Sequence, residues 1–231
     1  MGAPQRSISG ITNVPITHPL GNYGLPDPTK WITYFTDFLT YAAGDFTNTE
    51  VGTGTRALGA VAGGVLVVTN AAADNDGNFF QLVAAPFGVL VANKKAVFRA
   101  RFKVLEILQA DLVMGFQLTD TTPLDATDGI FFQKDDGDAL LDIYVEKNTT
   151  TGRNSQAGVA TLVADTFVTL GIYYDGAGYA HFYVDDARVW SLDASSTYFP
   201  DAAMNVSFGL QNGQAVANVL TVDHVLAAVE R

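Results

Sequence analysis

The sequence predicts an all-β protein, an antiparallel β-sandwich or jelly roll preceded by an extended N-terminal arm. Of its 231 residues, 48% are hydrophobic and only 16% are charged, so the chain can bury a sizeable core. Its acidic residues are 20 Asp and only four Glu, and Asp favours turns whereas Glu favours helices. Beyond the arm, apolar and polar residues alternate in short runs that are separated by Asp/Gly turns.

Residues 1–30 form the predicted arm, and residues 31–231 form the predicted sandwich. The arm holds five of the eight prolines and few large apolar side chains, which is typical of an extended segment. We expect the arm to dock on a neighbouring molecule through its larger side chains. The candidate contacts are Arg6, Ile11, Val14, Ile16, His18, Leu20, Tyr23 and Leu25.

Short strands follow one another along the predicted sandwich. Residues 31–42 have apolar side chains at helical spacing, but their threonines are poor helix formers and favour a strand. The clearest strand is 96–104, where small and aromatic side chains alternate with Arg99, Arg101 and Lys103. The same alternation predicts strands over 112–118, 141–145, 168–174, 180–184, 206–210 and 220–226.

Tight turns join several of these strands. The Asp-rich and Gly-rich segments 134–138, 174–178 and 184–187 supply the positive φ angles that short hairpins need. The alternation also places His181 on an outer face and His224 on the apolar face, as a hydrogen-bonded core residue.

Composition excludes several function classes. The 13 Lys and Arg against 24 Asp and Glu give a net charge of −11, which repels phosphate backbones, so we expect no nucleic acid partner. No apolar stretch approaches the roughly 20 residues of a membrane-spanning helix, so we expect no membrane partner. The first residues lack the apolar core of a signal peptide, so export is not expected. The absence of Cys removes disulfides and Cys-ligated zinc.

The sequence also lacks familiar catalytic patterns. It has no Gly-x-Ser-x-Gly elbow, no phosphate-binding glycine loop and no Glu-x-Asp-x-Glu strand of the sandwich glucanases. Asp142 and Glu146 share one strand face at ~13 Å, whereas glycosidases need carboxyl groups roughly 5–9.5 Å apart. We therefore expect a protein that is not an enzyme, unless carboxylates from different strands converge.

One segment is a candidate calcium site. Asp74 and Asp76 alternate in an Asp-Asn-Asp-Gly run, and calcium takes oxygen ligands from such loops. No other cofactor is expected. The acidic residues within 135–142 are better explained as a solvated hairpin.

A group of aromatic side chains is a second candidate site. Aromatic rings can stack on the C–H faces of a sugar, and they can equally pack against a second subunit. The candidates are Tyr173, Tyr179, Tyr183 and Trp190.

Five segments resemble structural proteins of tailed bacteriophages that carry a concanavalin A-like (laminin G-like) jelly roll. The segments are WITYFTDF (31–38), LVVTNAAAD (66–74), DGIFFQKDDGD (128–138), YVDD (183–186) and VSFGLQNG (206–213). The likeness covers most of residues 31–231, and its motifs are strand and turn signatures. Asp185-Asp186 replaces the Asp-Gly turn that such sequences commonly show.

The resemblance implies a structural, non-enzymatic role in a phage particle. One hypothesis is a capsid decoration or cement protein, made in the host cytoplasm, that docks through its arm and stabilises the head, commonly as a trimer. The alternative is a carbohydrate-binding, lectin-like module on the tail or head surface that binds host glycans. The resemblance brings no catalytic residues to this sequence.

Overall fold

The computed structural model describes residues 29–83, 94–147 and 154–231. These residues form two antiparallel sheets, one of eight strands and one of seven. The eight-stranded sheet has the order β13-β12-β11-β6-β15-β4-β3, and β1 also pairs with β15. The seven-stranded sheet has the order β10-β9-β8-β7-β14-β5-β2.

The strand bounds of the eight-stranded sheet are β1 (Trp31–Thr36), β3 (Gly54–Leu58), β4 (Leu66–Asn70), β6 (Ala96–Val104), β11 (Val168–Tyr174), β12 (Tyr179–Val184), β13 (Ala187–Asp193) and β15 (Val219–Glu230). Those of the seven-stranded sheet are β2 (Phe46–Val51), β5 (Gly77–Leu82), β7 (Ala110–Gln117), β8 (Gly129–Lys134), β9 (Leu140–Glu146), β10 (Asn154–Thr161) and β14 (Asn205–Asn212).

The predicted all-β antiparallel sandwich is confirmed. The segment 31–42, ambiguous between helix and strand, begins with strand β1. Helical structure in the described residues is limited to two short 3₁₀ helices, Ala43–Asp45 and Pro123–Asp125. Neither is long and apolar enough to cross a membrane.

The core lies between the two sheets and is rich in phenylalanine. On β6 the alternation is complete, because every second residue from Ala96 to Val104 is buried. Phe132 of β8 meets Phe182 of β12 edge to face across the core, with ring centroids 5.8 Å apart. Truncating such a side chain to Ala costs about 3–5 kcal/mol, so contacts of this kind hold the two sheets together.

A β-bulge corrects the prediction for His224. The register of β15 against β6 shifts between Val222 and His224, so the side chains beyond it change faces. Val225 and Ala227 are then buried in the core. His224 is instead half-buried beside Asp223, 3.2 Å from its carboxylate. It is therefore not a core residue.

The predicted arm lies outside the described residues, apart from its last two positions. Its boundary at residue 30 therefore stays a prediction. The same holds for its candidate contacts, which are Arg6, Ile11, Val14, Ile16, His18, Leu20, Tyr23 and Leu25.

Candidate functional site

A shallow depression on the outer face of the eight-stranded sheet is centred on Gly171 of β11. Gly171 pairs with Arg99 of β6 on one side and with Tyr183 of β12 on the other. Thr169 and Tyr173 flank it along β11, on the same face, because side chains two residues apart point the same way. The space has a volume of about 320 Å³, at the lower end of the range for small-ligand pockets. We call it the Gly171 depression.

The missing side chain of Gly171 makes the depression. A Cβ at this position would lie 3.5 Å from Cβ of Tyr183 and 3.9 Å from the carbonyl oxygen of Phe98, which are ordinary contacts. Its φ is also outside the positive region that favours glycine. The backbone therefore does not require glycine here, and its effect is to leave room between larger side chains. A lone Gly inside an alternating strand is the signal that sequence reasoning missed.

An ion pair forms one rim of the depression. Arg99 donates from Nη1 and Nη2 to the two carboxylate oxygens of Asp186, at 2.6 and 3.4 Å. Asp185 and Asp186 have φ of 47° and 64° and make the turn between β12 and β13, as the Asp/Gly turn pattern predicts. The guanidinium of Arg99 lowers the pKa of Asp186. Because the Asp186 side chain is 72% exposed, the pair adds little to stability and both groups can reach a ligand.

Two further rings continue from Tyr173 beside the depression. The His181 ring lies between those of Tyr173 and Tyr179, with centroid distances of 6.0 and 6.1 Å and interplanar angles of 23° and 15°. Tyr173 pairs with His181 across β11 and β12, and Tyr179 is two residues before His181 on β12. We call Tyr173, His181 and Tyr179 the aromatic row.

Hydrogen bonds hold the aromatic row in place. Nδ1 of His181 is 2.8 Å from the hydroxyl of Ser191 on β13. Asp175 Oδ1 accepts the backbone N–H groups of Ala177, Gly178 and Tyr179 at 2.7, 2.9 and 2.9 Å, which closes the turn into β12. These hydrogen bonds, that from Tyr179 first, lower the pKa of Asp175. The row is therefore rigidly supported at both the strand and the turn.

The structure brings together only three of the four predicted aromatic residues. Tyr173, Tyr179 and Tyr183 lie on the outer face of the sheet. Trp190 packs inward against Phe182, with ring centroids 5.4 Å apart. Trp190 lies opposite the core residue Phe182 and, two residues from buried Leu192 on β13, shares its inner face. Trp190 is therefore not part of this surface.

The candidate calcium residues do not converge. Asp76 is buried and accepts the N–H of Ala73 at 3.3 Å, whereas Asp74 is exposed. Asn212 donates to the carbonyl oxygens of Ala71 and Ala73 at 2.7 and 3.1 Å and holds the loop from the core side. In residues 29–83, 94–147 and 154–231, no three His, Cys, Asp or Glu side chains form a group that could hold a metal ion. The calcium hypothesis finds no ligand set there.

The outer face of the seven-stranded sheet carries a loop fixed by buried amide side chains. Gln81 donates to the carbonyl oxygen of Leu118 at 3.3 Å and accepts the N–H of Asp120 at 2.9 Å. Gln117 donates to the carbonyl oxygen of Pro123 at 2.8 Å. The loop is thus attached over the middle of the sheet.

A second groove of about 260 Å³ runs between this loop and the edge strand β2. Its lining includes Thr49 and Val51 of β2, Phe79 of β5, and Leu124 of the loop. The Phe79 ring lies against Gly209 of β14, where a Cβ would be only 2.4 Å from it. The groove is mostly apolar and has no charged pair comparable to that of Arg99 and Asp186 among its described lining.

The carboxylates of β9 lie on the outer face of the seven-stranded sheet, because the alternate residues of this strand are in the core. Asp142 accepts the N–H of Gly158 at 2.7 Å and lies 3.3 Å from the hydroxyl of Tyr144. Glu146 lies further along β9 and is buried. Opposite Asp142, the adjacent strand β8 holds Gln133.

Comparisons by sequence identify no family. No protein-family profile matches the chain, and a search of curated proteins finds no relative.

Solved structures do share the fold. A GH16 protein of the Bacteroides ovatus mixed-linkage glucan locus has 14% identity and a TM-score of 0.62, over 83% of this chain and 98% of that one. The carbohydrate recognition domain of Emp47p has 10% identity and a TM-score of 0.58, over 88% and 98%. An endo-β-1,4-glucuronan lyase from the fungus Trichoderma reesei has 12% identity and a TM-score of 0.57, over 85% and 94%. The concanavalin A-like jelly roll is therefore confirmed, and at these identities the likeness concerns the fold.

The prediction that the chain is not an enzyme is contradicted by these neighbours. The structures that share its sandwich include a glucuronan lyase and a glycoside hydrolase. The prediction rested on carboxylates spaced along one strand. A sheet face, however, brings side chains from adjacent strands within about 5 Å of one another, and no single-strand motif reports on such a group.

Proposed function

We propose that this chain is a carbohydrate-binding β-sandwich, and that the Gly171 depression is its glycan site. The observation that carries the proposal is a glycine floor set beside two tyrosine rings and an exposed Arg–Asp pair. The carbohydrate recognition domain among the structural neighbours is consistent with this role.

Each wall of the depression supplies one part of sugar recognition. The rings of Tyr173 and Tyr183 offer apolar surface to the C–H face of a pyranose. Arg99 presents donors and Asp186 presents acceptors, which together match neighbouring sugar hydroxyls. The open floor at Gly171 lets the ring approach the sheet closely.

A glycan array followed by calorimetric titration tests the proposal. We expect the protein to bind a defined group of glycans, and Tyr183→Ala to weaken binding by about three- to tenfold, since a well-placed aromatic contact contributes about 0.5–1.5 kcal/mol. Tyr183→Phe keeps the ring and should bind nearly as the parent does. No binding to any glycan, or equal binding by Tyr183→Ala, would contradict the proposal.

The same titrations should include a readout for cleavage. The release of new reducing ends reports hydrolysis, and a rise in the absorbance of an unsaturated sugar product reports a lyase reaction. Cleavage together with binding would extend the proposed function to catalysis on the bound chain.

We further propose that the protein acts on the surface of a tailed-phage particle. This rests on the phage-like segments of residues 31–38, 128–138 and 206–213. Within that setting, a decoration role on the capsid is a second candidate, favoured by the proline-rich composition of residues 1–30. Deleting residues 1–28 should then abolish attachment to capsids and leave the sandwich folded. Unchanged occupancy on imaged particles would refute the decoration role, and the same images would show whether the copies form trimers.

A further inference from the structure

The rings beside the Gly171 depression continue it along strand β12. Tyr179, His181 and Tyr183 occupy alternate positions of β12, so all three lie on the outer face. At a rise of ~3.3 Å per residue, the distance from Tyr179 to Tyr183 is ~13 Å. The ring of Tyr173 lies beside His181 on the neighbouring strand. The ligand surface is therefore longer than the depression alone.

The rings of this surface are closely spaced. The centroids of His181 and Tyr179 are 6.1 Å apart along β12, and the centroid of Tyr173 lies 6.0 Å from that of His181 across the two strands. Neighbouring ring planes differ by no more than 23°. Each step is comparable with the width of one pyranose ring. Tyr179, at the far end, is 48% exposed, so a ligand that follows the row meets open aromatic surface there.

The row is also fixed before any ligand binds. Ser191 holds the His181 ring, and the Asp175 turn holds the backbone of Tyr179. A rigid surface loses little conformational freedom on binding, which favours a ligand that makes several weak contacts in sequence.

We infer that the row and the depression together form a track for a linear polysaccharide. One sugar unit occupies the Gly171 depression, and the next units lie along His181 and Tyr179. The inference rests on the proposed function and deepens it, because it specifies an extended chain rather than a single terminal sugar.

The dependence of affinity on saccharide length tests the inference directly. The full-length protein is titrated with the mono-, di-, tri-, tetra- and hexasaccharide of the polysaccharide that binds best on the array. We expect affinity to rise through the trisaccharide and then to level off. Equal affinity for the monosaccharide and the hexasaccharide would overturn the track while leaving the glycan site in place. Absence of binding by every ligand would overturn both.

Variants of Tyr179 separate the track from the depression. Tyr179→Ala should weaken binding of the trisaccharide and longer chains by about three- to tenfold, the value of one aromatic contact, with no change for the monosaccharide. Tyr179→Phe should bind as the parent does. Tyr198→Ala, which removes a tyrosine outside both sheets, is the matched control. Equal loss for short and long ligands with Tyr179→Ala would overturn the inference.

Discussion

Filling the floor of the Gly171 depression should weaken glycan binding and leave the protein at least as stable. Gly171→Val places a branched side chain where the structure leaves about 320 Å³ open, and the new Cβ meets neighbours at 3.5 Å or more. Forcing a ligand against an occupied site costs about 1–3 kcal/mol, or about 5- to 150-fold in affinity.

The same substitution should raise the free energy of unfolding. Gly inside a strand is destabilising by roughly 0.5–1 kcal/mol relative to Ala, and Val fits a strand better still. For a chain of this length, that gain raises Tm by about 2–4 °C. Loss of binding therefore cannot result from misfolding.

The assay pairs calorimetric titration with thermal unfolding for Gly171→Ala, Gly171→Val and Thr221→Val. Affinity should fall stepwise from Gly to Ala to Val. Thr221→Val changes the outer face of the same sheet on β15, away from the depression, and should bind normally. Wild-type affinity in Gly171→Val would refute the assignment of the depression as the site.

Three further predictions concern stability. Burial raises the pKa of Asp111, so the contribution of this carboxyl to stability is lost as pH rises from its unfolded pKa through its folded pKa. Asp111→Asn keeps an acceptor for the N–H of Asp136 (2.8 Å) and should raise the free energy of unfolding at pH 7, whereas an unchanged or lower value would contradict this. Asp175→Ala removes three hydrogen bonds from backbone N–H groups and should lower the free energy of unfolding in urea by about 2 kcal/mol, whereas Asp175→Asn should lower it by less. Because the pKa of Asp175 is lowered in the folded protein, this stabilisation is present above the unfolded pKa of the carboxyl and is lost as pH falls through its folded pKa. Lys134 is fully buried and donates to the carbonyl oxygens of Leu108, Ala110 and Asp135. Lys134→Met should lower the free energy of unfolding by about 3 kcal/mol and Tm by about 6–12 °C, whereas an unchanged Tm would contradict this.

Alternation of side chains was sufficient to predict the sandwich. The period of two in residues 96–104 gives β6 directly, and the Asp/Gly segments mark real turns, such as that at Asp185 and Asp186. The strand preference of residues 31–36 also holds. These features are local, so one strand and its own turn carry the information.

The features that the sequence does not predict depend on the pairing between strands. His224 follows a register shift, which reverses the face that simple alternation assigns to it. Trp190 is a candidate by residue type alone, and its pairing with Phe182 places it on the inner face. The Gly171 depression needs three strands to place Arg99, Gly171 and Tyr183 in one row. The expectation of a non-enzyme, which the enzymes among the structural neighbours contradict, rested on motifs within single strands, and such motifs do not report on side chains that meet across strands.

A crystal structure of the protein soaked with the glycan that binds best would show directly whether the Gly171 depression is the glycan site. We expect a sugar ring over Gly171, with the Tyr173 and Tyr183 rings against its C–H faces and the Arg99–Asp186 pair at its hydroxyls. A sugar seated instead in the groove beside β2, with the Gly171 depression empty, would contradict it.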